Sequence, residues 1–232
     1  MSEITGQYFA IVDYGLGNLF SVKNACDVVG IQCVITSDKE EILNASGLFL
    51  PGVGAFNDAM EALELKDLIE PLKQCVRQKK IIIGICLGMQ ILMNESFEFG
   101  HHDGLGFING SVHRLEDSVL SPHQVKIPHV GWNRIHCNHQ RLPQLKPSGC
   151  RESSCWIGTP LEGISEGEFM YFVHSYYIKP VDPHLTVATT TYGKNIFCSA
   201  IQKGTIFGMQ FHPEKSGPIG LKIYENIAKM IQ

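Results

Sequence analysis

Apolar and polar positions along the first 95 residues follow two alternating rhythms. "YFAIVDYG" (8–15) is a short apolar run closed by turn residues. "NLFSVKNACDVVG" (18–30) then spaces its apolar residues as a helix face does and stops at Gly30. "QCVITS" (32–37) predicts a second strand, with Ser37 or Asp38 placed to cap a short helix over "KEEILNA" (39–45). "GLFLPGVG" (47–54) predicts a third strand, breaking at Pro51-Gly52. One long helix follows over "DAMEALELKDLIEPLKQCVRQ" (58–78), interrupted or kinked at Pro71. "KIIIGIC" (80–86) is apolar on both faces, and "LGMQILMNES" (87–96) predicts the helix after it. Apolar strands alternating with helices require a parallel sheet covered on both sides.

Beyond about residue 104 short β patterns dominate: "GSVHRL", "VGWNRIH", "FMYFVHSYYI", "LTVATTTY", "IFCSAIQ" and "IFGMQFH". A closing helix is expected over "IGLKIYENIAKMIQ". Residues 138–168 are polar and rich in Pro, Gly and Ser, as a surface loop insertion would be. The expectation is therefore one α/β domain over residues 1–232, with a β-rich second half.

Composition narrows what the chain can do. At 232 residues it can bury a sizeable core, and 44% hydrophobic with 18% charged residues is ordinary for a globular protein. A net charge of −4, with scattered basic residues, provides no electrostatic footprint for nucleic acid. No apolar run approaches the roughly 18–20 residues needed to cross a bilayer, so no membrane partner is expected. The N-terminal "MSEITGQYFAIVDYG" has no basic segment leading into an apolar one, so a cytoplasmic location is expected. The eight cysteines sit mostly singly inside apolar segments, the pattern of buried thiols. The one close pair, Cys150 and Cys155 in "CRESSC", lacks the second half of a zinc site, and neither metal nor cofactor is expected.

One cysteine stands apart. Cys86 falls at the carboxyl end of an expected parallel strand, where open α/β sheets bind their ligands. Gly84 and Gly88 flank it as G-x-C-x-G, leaving room for a sharp strand-to-helix turn. That pattern reads either as a tight helix–sheet contact or as a nucleophile elbow. In the second case the helix N-terminus would favour thiolate, and the Leu87 N–H could face an oxyanion. A nucleophilic thiol needs a base, and the base an orienting carboxylate. "QFHPEKS" (210–216) offers His212 and Glu214, two apart, after an apolar strand. His174, in "YFVHSYY", is the competing base, although strands on both sides favour a packed histidine.

The combination of "GICLGMQ" with a distant "FHPE" resembles the class I (triad) glutamine amidotransferases. "DYGLGNLFSV" (13–22), "LPGVGAFNDAM" (50–60), "IPHVGWN" (127–133), "YFVHSYY" (171–177) and "QFHPEKS" are similar, in the same order, to one branch of that family. That branch comprises the glutaminase subunits of imidazole glycerol phosphate synthases. The resemblance implies a flavodoxin-like, mostly parallel sheet flanked by helices, with added strands in the C-terminal half. It further implies glutamine hydrolysis by Cys86, with His212 as base and Glu214 as its orienting acid. Gly52, Val53, Leu87, Gln90, Ser175 and Tyr176 would line the substrate pocket, with the 51–54 loop turning an N–H toward the oxyanion. The implied partner is a (β/α)8 cyclase subunit, bound as a heterodimer and fed ammonia. Asn18 and Trp132 would lie at that interface and Tyr171 near the ammonia passage.

One departure stands out, because the 138–168 segment is longer than that branch leads one to expect. Similar glutaminase chains also supply ammonia to sugar amidotransferases of bacterial surface-polysaccharide synthesis, which stands as the alternative partner. A non-catalytic scaffold is disfavoured, since Cys86, His212, Glu214 and Gln90 are all intact.

Overall fold

The computed structural model describes residues 6–117, 125–141 and 155–230. The first half alternates as expected: β1 (Phe9–Val12), α1 (Leu19–Val29), β2 (Cys33–Thr36), α2 (Lys39–Asn44) and β3 (Gly47–Gly52). Then come α3 (Phe56–Leu65), α4 (Ile69–Arg77), β4 (Ile81–Cys86) and the single turn α5 (Leu87–Gln90). The rest is largely β: β5 (Glu95–Ser96), β6 (His102–Asp103), β7 (Gly110–Arg114), β8 (His129–Arg134) and β9 (His136–Cys137). After them run β10 (Phe169–His174), β11 (Tyr176–Pro180), β12 (Thr186–Tyr192), β13 (Asn195–Lys203), β14 (Ile206–Met209) and the closing α6 (Gly217–Lys229).

The main sheet has eight strands in the order β2-β1-β3-β4-β14-β13-β12-β9. The first five run parallel and the last three join antiparallel. Period-two alternation divides its side chains between two cores. Phe9, Ile11, Ile83 and Ile85 face α1 and α6, whereas Ala10, Val12, Leu48 and Ile82 face α2, α3 and α4. Two smaller sheets, β10-β8 and β11-β7-β5-β6, stand beside it. No helix among the described residues is long and apolar enough to cross a membrane.

Local chemistry sets most boundaries. The Asn18 side chain accepts from Ser21 N–H at 3.3 Å to start α1, and Gly30 ends it at φ 79°. Asp38, not Ser37, caps α2 by accepting from Glu41 N–H at 2.9 Å.

Three expectations are corrected. The helix expected over 58–78 is two helices, and the break lies at Lys66–Leu68, where Asp67 takes φ 52°. Pro71 causes no break because it sits in the first turn of α4, where its missing N–H has no intrahelical bond to make. The helix expected over 87–96 stops at Gln90, because the carbonyls of Ile91, Leu92 and Met93 accept from Leu105, Ile108 and Gly106 instead. Finally, "FMYFVHSYYI" is not one strand. It splits at Ser175, with β10 pairing β8 and β11 pairing β7 in another sheet.

Within 138–168, residues 142–154, Cys150 among them, lie outside the described residues. The described remainder anchors Trp156, Leu161 and Ile164 in the core beneath β12. Trp156 Nε1–H donates to Val187 O at 3.2 Å. Cys26, Cys33, Cys75, Cys86, Cys137 and Cys198 carry free thiols.

Candidate active site

Cys86 ends β4 and precedes α5 with φ 55° and ψ −110°, a conformation that costs a non-glycine residue energy and concentrates at functional sites. Its neighbours permit the bend. A Cβ on Gly84 would stand 2.8 Å from Gly88 O, and one on Gly88 would stand 1.6 Å from Leu50 O. The elbow is therefore wedged between β3 and the first turn of α5, with no space for a side chain on either glycine.

His212 lies beyond the end of β14, the parallel neighbour of β4 whose Met209 is in register with Ile85. A 3-10 turn over Pro213–Lys215 brings Glu214 back to it, and Glu214 Oε1 lies 2.7 Å from His212 Nδ1. A carboxylate accepts, so Nδ1 carries a proton, and Nε2 is the nitrogen left to exchange one with Cys86. Both side chains are buried, at 2% and 1% exposure. His212 Nε2 is buried without a hydrogen bond of normal geometry among the described residues, and the Cys86 sulfur is the group whose charge acts most on the ring. Burial alone would lower the His212 pKa, but Cys86 and Glu214 outweigh it and raise it well above the usual imidazole value. The turn is pinned to β10: His212 N–H donates to Tyr171 O at 2.8 Å, and Ser216 Oγ–H donates to His212 O at 2.7 Å.

A pocket opens over Cys86, lined among others by Val53, Leu87, Gln90, Ser175 and Tyr176. Gly52 stands behind this wall, paired with Cys86 across β3 and β4, where an added Cβ would meet the Tyr14 hydroxyl at 2.2 Å. Gln90 Nε2–H donates to Tyr176 O at 2.9 Å and to Gln210 Oε1 at 3.1 Å. Both its donors are thus spent inside the protein, and its carbonyl oxygen remains for a ligand. His174 lines the pocket rather than the base position. Its Nδ1 is held by Tyr176 O, and burial pushes its pKa down to about 3.

Asn18 is half-buried as the cap of α1, Trp132 is 54% exposed on β8, and Tyr171 stands beside it with ring centroids 6.1 Å apart. Val130 and Phe169 lie on the same outward face and are also exposed.

Two residues of the site carried no sequence signal. Glu98, between two exposed phenylalanines, is buried in the pocket wall and accepts from Phe56 N–H at 2.6 Å. Burial raises its pKa, which the hydrogen bond from Phe56 only partly offsets. Gln210, fully buried, donates to Cys86 Sγ at 3.6 Å. Gln210 opens "QFHPEKS", but only the close approach of β14 to β4 reveals its contact with Cys86. Among the described residues no three His, Cys, Asp or Glu side chains come together to hold a metal ion.

The sequence model of "Glutamine amidotransferase class-I" matches residues 10–230. "Imidazole glycerol phosphate synthase subunit HisH" of Syntrophotalea carbinolica is 40% identical over 221 residues, covering 95% of this chain and 98% of that protein. The protein of the same name from Sulfurimonas denitrificans is 43% identical over 220 residues, covering 95% and 97%. Among solved structures, "Structure of PurLQS from Thermotoga maritima" aligns with a TM-score of 0.67 at 16% identity, over 97% of this chain and 99% of that one. A structure titled "Crystal structure of glutamine amidotransferase" aligns at 0.65 and 15%, over 93% and 96%.

Proposed function

Since this chain belongs to the class I glutamine amidotransferases, we propose that it is the glutaminase subunit of an imidazole glycerol phosphate synthase, with Cys86, His212 and Glu214 as its catalytic triad. One observation carries the triad reading. A strained elbow cysteine and a carboxylate-bound histidine whose ring is acted on by the Cys86 sulfur sit at the carboxyl ends of adjacent parallel strands, beside one pocket. The relatives named above, similar over almost their whole length, support the pathway assignment.

The chemistry follows from the geometry. His212 Nε2 takes the Cys86 proton, and the thiolate attacks the side-chain carboxamide carbon of glutamine. Glu214 holds the Nδ1–H tautomer and stabilises the imidazolium that forms. Backbone N–H groups at Leu87 and in the 52–54 loop are the candidate oxyanion donors. Collapse of the tetrahedral adduct breaks the C–N bond, and the imidazolium protonates the departing nitrogen as ammonia. Water, deprotonated by His212, then attacks the γ-glutamyl thioester to give glutamate and free thiol. Glu98 suits the α-ammonium of the substrate, whose charge would hold the buried carboxyl ionised. Ammonia released in bulk water would be protonated and lost, so a partner must receive it. The exposed Val130, Trp132 and Phe169 face is the docking surface we assign to a (β/α)8 cyclase.

The test is glutamate release by the chain alone, then with the cyclase subunit and its ribonucleotide ligand, with Cys86→Ala as control. Strong stimulation abolished in the variant supports both triad and partner. Release through Cys86 that ignores the cyclase would move the partner to a sugar amidotransferase.

A further inference from the structure

Strand β8 carries the exposed apolar residues on one face. On the other it starts a run of hydrogen bonds that ends at the pocket. The Tyr176 carbonyl oxygen, which accepts from Gln90, also lies 2.9 Å from His174 Nδ1. A carbonyl only accepts, so His174 carries its proton on Nδ1 and offers a lone pair at Nε2. His129 Nδ1 stands 3.1 Å from that Nε2 and must donate, leaving His129 Nε2 as an acceptor. Asn133 Nδ2 stands 3.3 Å from His129 Nε2 to fill it, and also donates to Thr191 O at 2.9 Å. Each step dictates the next, so one backbone carbonyl fixes the tautomer of both rings.

The pair is also fixed sterically. The His129 ring is stacked between Tyr192 and Phe172, with centroids 3.9 and 4.9 Å away, and it is paired directly with His174 in the β8–β10 ladder. Burial pushes the His129 pKa down to about 4, and that of His174 lower still. Neither ring takes part in the triad, yet the pair spans from the partner-facing strand to the residue whose carbonyl Gln90 grips.

We propose that His129 and His174 are positioning residues: a tautomer-locked pair that holds the Tyr176 carbonyl, and with it the Ser175–Tyr176 wall of the glutamine pocket, in place on β8. The inference rests on the glutaminase site proposed above. It separates two roles that packing alone would confuse, since leucine fills the space of an imidazole whereas asparagine restores a donor near Nδ1.

The experiment is alkylation of Cys86 by 6-diazo-5-oxo-L-norleucine, a glutamine-like electrophile, resolved into its binding constant and its maximal rate. His174→Leu should weaken binding about tenfold, near the upper end of what one buried hydrogen bond contributes, and change the maximal rate less than about threefold. His174→Asn should recover binding to within about threefold of wild type. His129→Leu should weaken binding by about threefold alone and add nothing to His174→Leu, because both act through one carbonyl. Equal binding by the Leu and Asn variants, a defect confined to the maximal rate, or additive Leu effects would overturn the proposal. Should His174→Leu not fold, His129→Leu against His129→Asn makes the same comparison. A wild-type chain that the reagent does not label would overturn the site reading itself, and this inference with it.

Discussion

Gly88 meets the carbonyl of Leu50 so closely that a Cβ would stand 1.6 Å from its oxygen. Nothing flexible lies in that contact, because both groups are backbone. Gly88→Ala must therefore push α5 off β3 and carry Cys86 with it. The expected loss is about 1–3 kcal/mol of stability, the usual cost of overpacking, with glutaminase activity down more than about 100-fold. Urea melts and glutamate release on the same preparation check both numbers.

Glu214→Gln keeps the shape of the His212 partner and removes its charge. An amide can present its N–H to Nδ1, which would move the ring proton to Nε2, where the thiol needs a lone pair. The expected result is a fall in kcat of about 100- to 10,000-fold with the KM for glutamine within about threefold. A variant that lost KM instead would show that Glu214 shapes the pocket and does not orient the base.

Glu98→Gln should raise the KM for glutamine by about 30- to 100-fold, the value of about 2–3 kcal/mol for a hydrogen bond to a charged group. The unliganded variant should be as stable as wild type or more so, since burial already disfavours the charge. Discrimination against a substrate analogue lacking the α-amino group should vanish in the variant. Retained discrimination would place the ammonium elsewhere.

The histidine pair makes stability depend on pH. Folded-state values near 4 for His129 and about 3 for His174 lie below the unfolded value of 6.5. Between those values the unfolded chain binds more protons, so the pair's contribution is complete above about pH 6.5 and declines as pH falls toward 4 and below. The joint effect is on the order of a few kcal/mol, less than the sum of two independent sites because the rings share a bond. Glu98 and His212, whose folded-state pKa values are raised, act in the opposite sense, Glu98 on the acidic side and His212 above about pH 6.5. Melting temperature from pH 7.5 to 5 checks this, and replacing both histidines by Asn should flatten the curve.

Trp132→Ala should weaken binding of a cyclase partner by about 30-fold or more, as truncation of a central aromatic anchor does. Sedimentation or calorimetric titration measures it. An unchanged affinity would remove the β8 face from the interface.

Much of this molecule was legible in its sequence where chemistry is local. The parallel half follows from apolar runs such as "KIIIGIC", and the elbow from glycines at fixed offsets around Cys86. His212 and Glu214 meet because one short turn joins them. What escaped was decided across the chain. The helix after Gln90 ends because residues 105–108 claim its carbonyls, and "FMYFVHSYYI" reads as one strand because nothing local marks Ser175 as a point of exchange between sheets. Glu98 lies in no pattern that announces it, and Gln210, although it opens "QFHPEKS", reaches Cys86 only through folding. Pro71 misled for a simpler reason, because its effect depends on its place within a helix, which the sequence located wrongly.

The β4–β14 ladder has a consequence for control. Cys86 is one residue past a rung of that ladder and His212 three past the same rung, while Glu214 travels with His212 on one turn. Cys86 and His212, the nucleophile and base proposed above, are therefore geared to a single pair of hydrogen-bonded strands, and cannot be drawn apart without tearing the middle of the sheet. Residues 53 and 54 lie past the last rung of β3 and line the same pocket, so a change there can alter the pocket while Cys86, His212 and Glu214 keep their places.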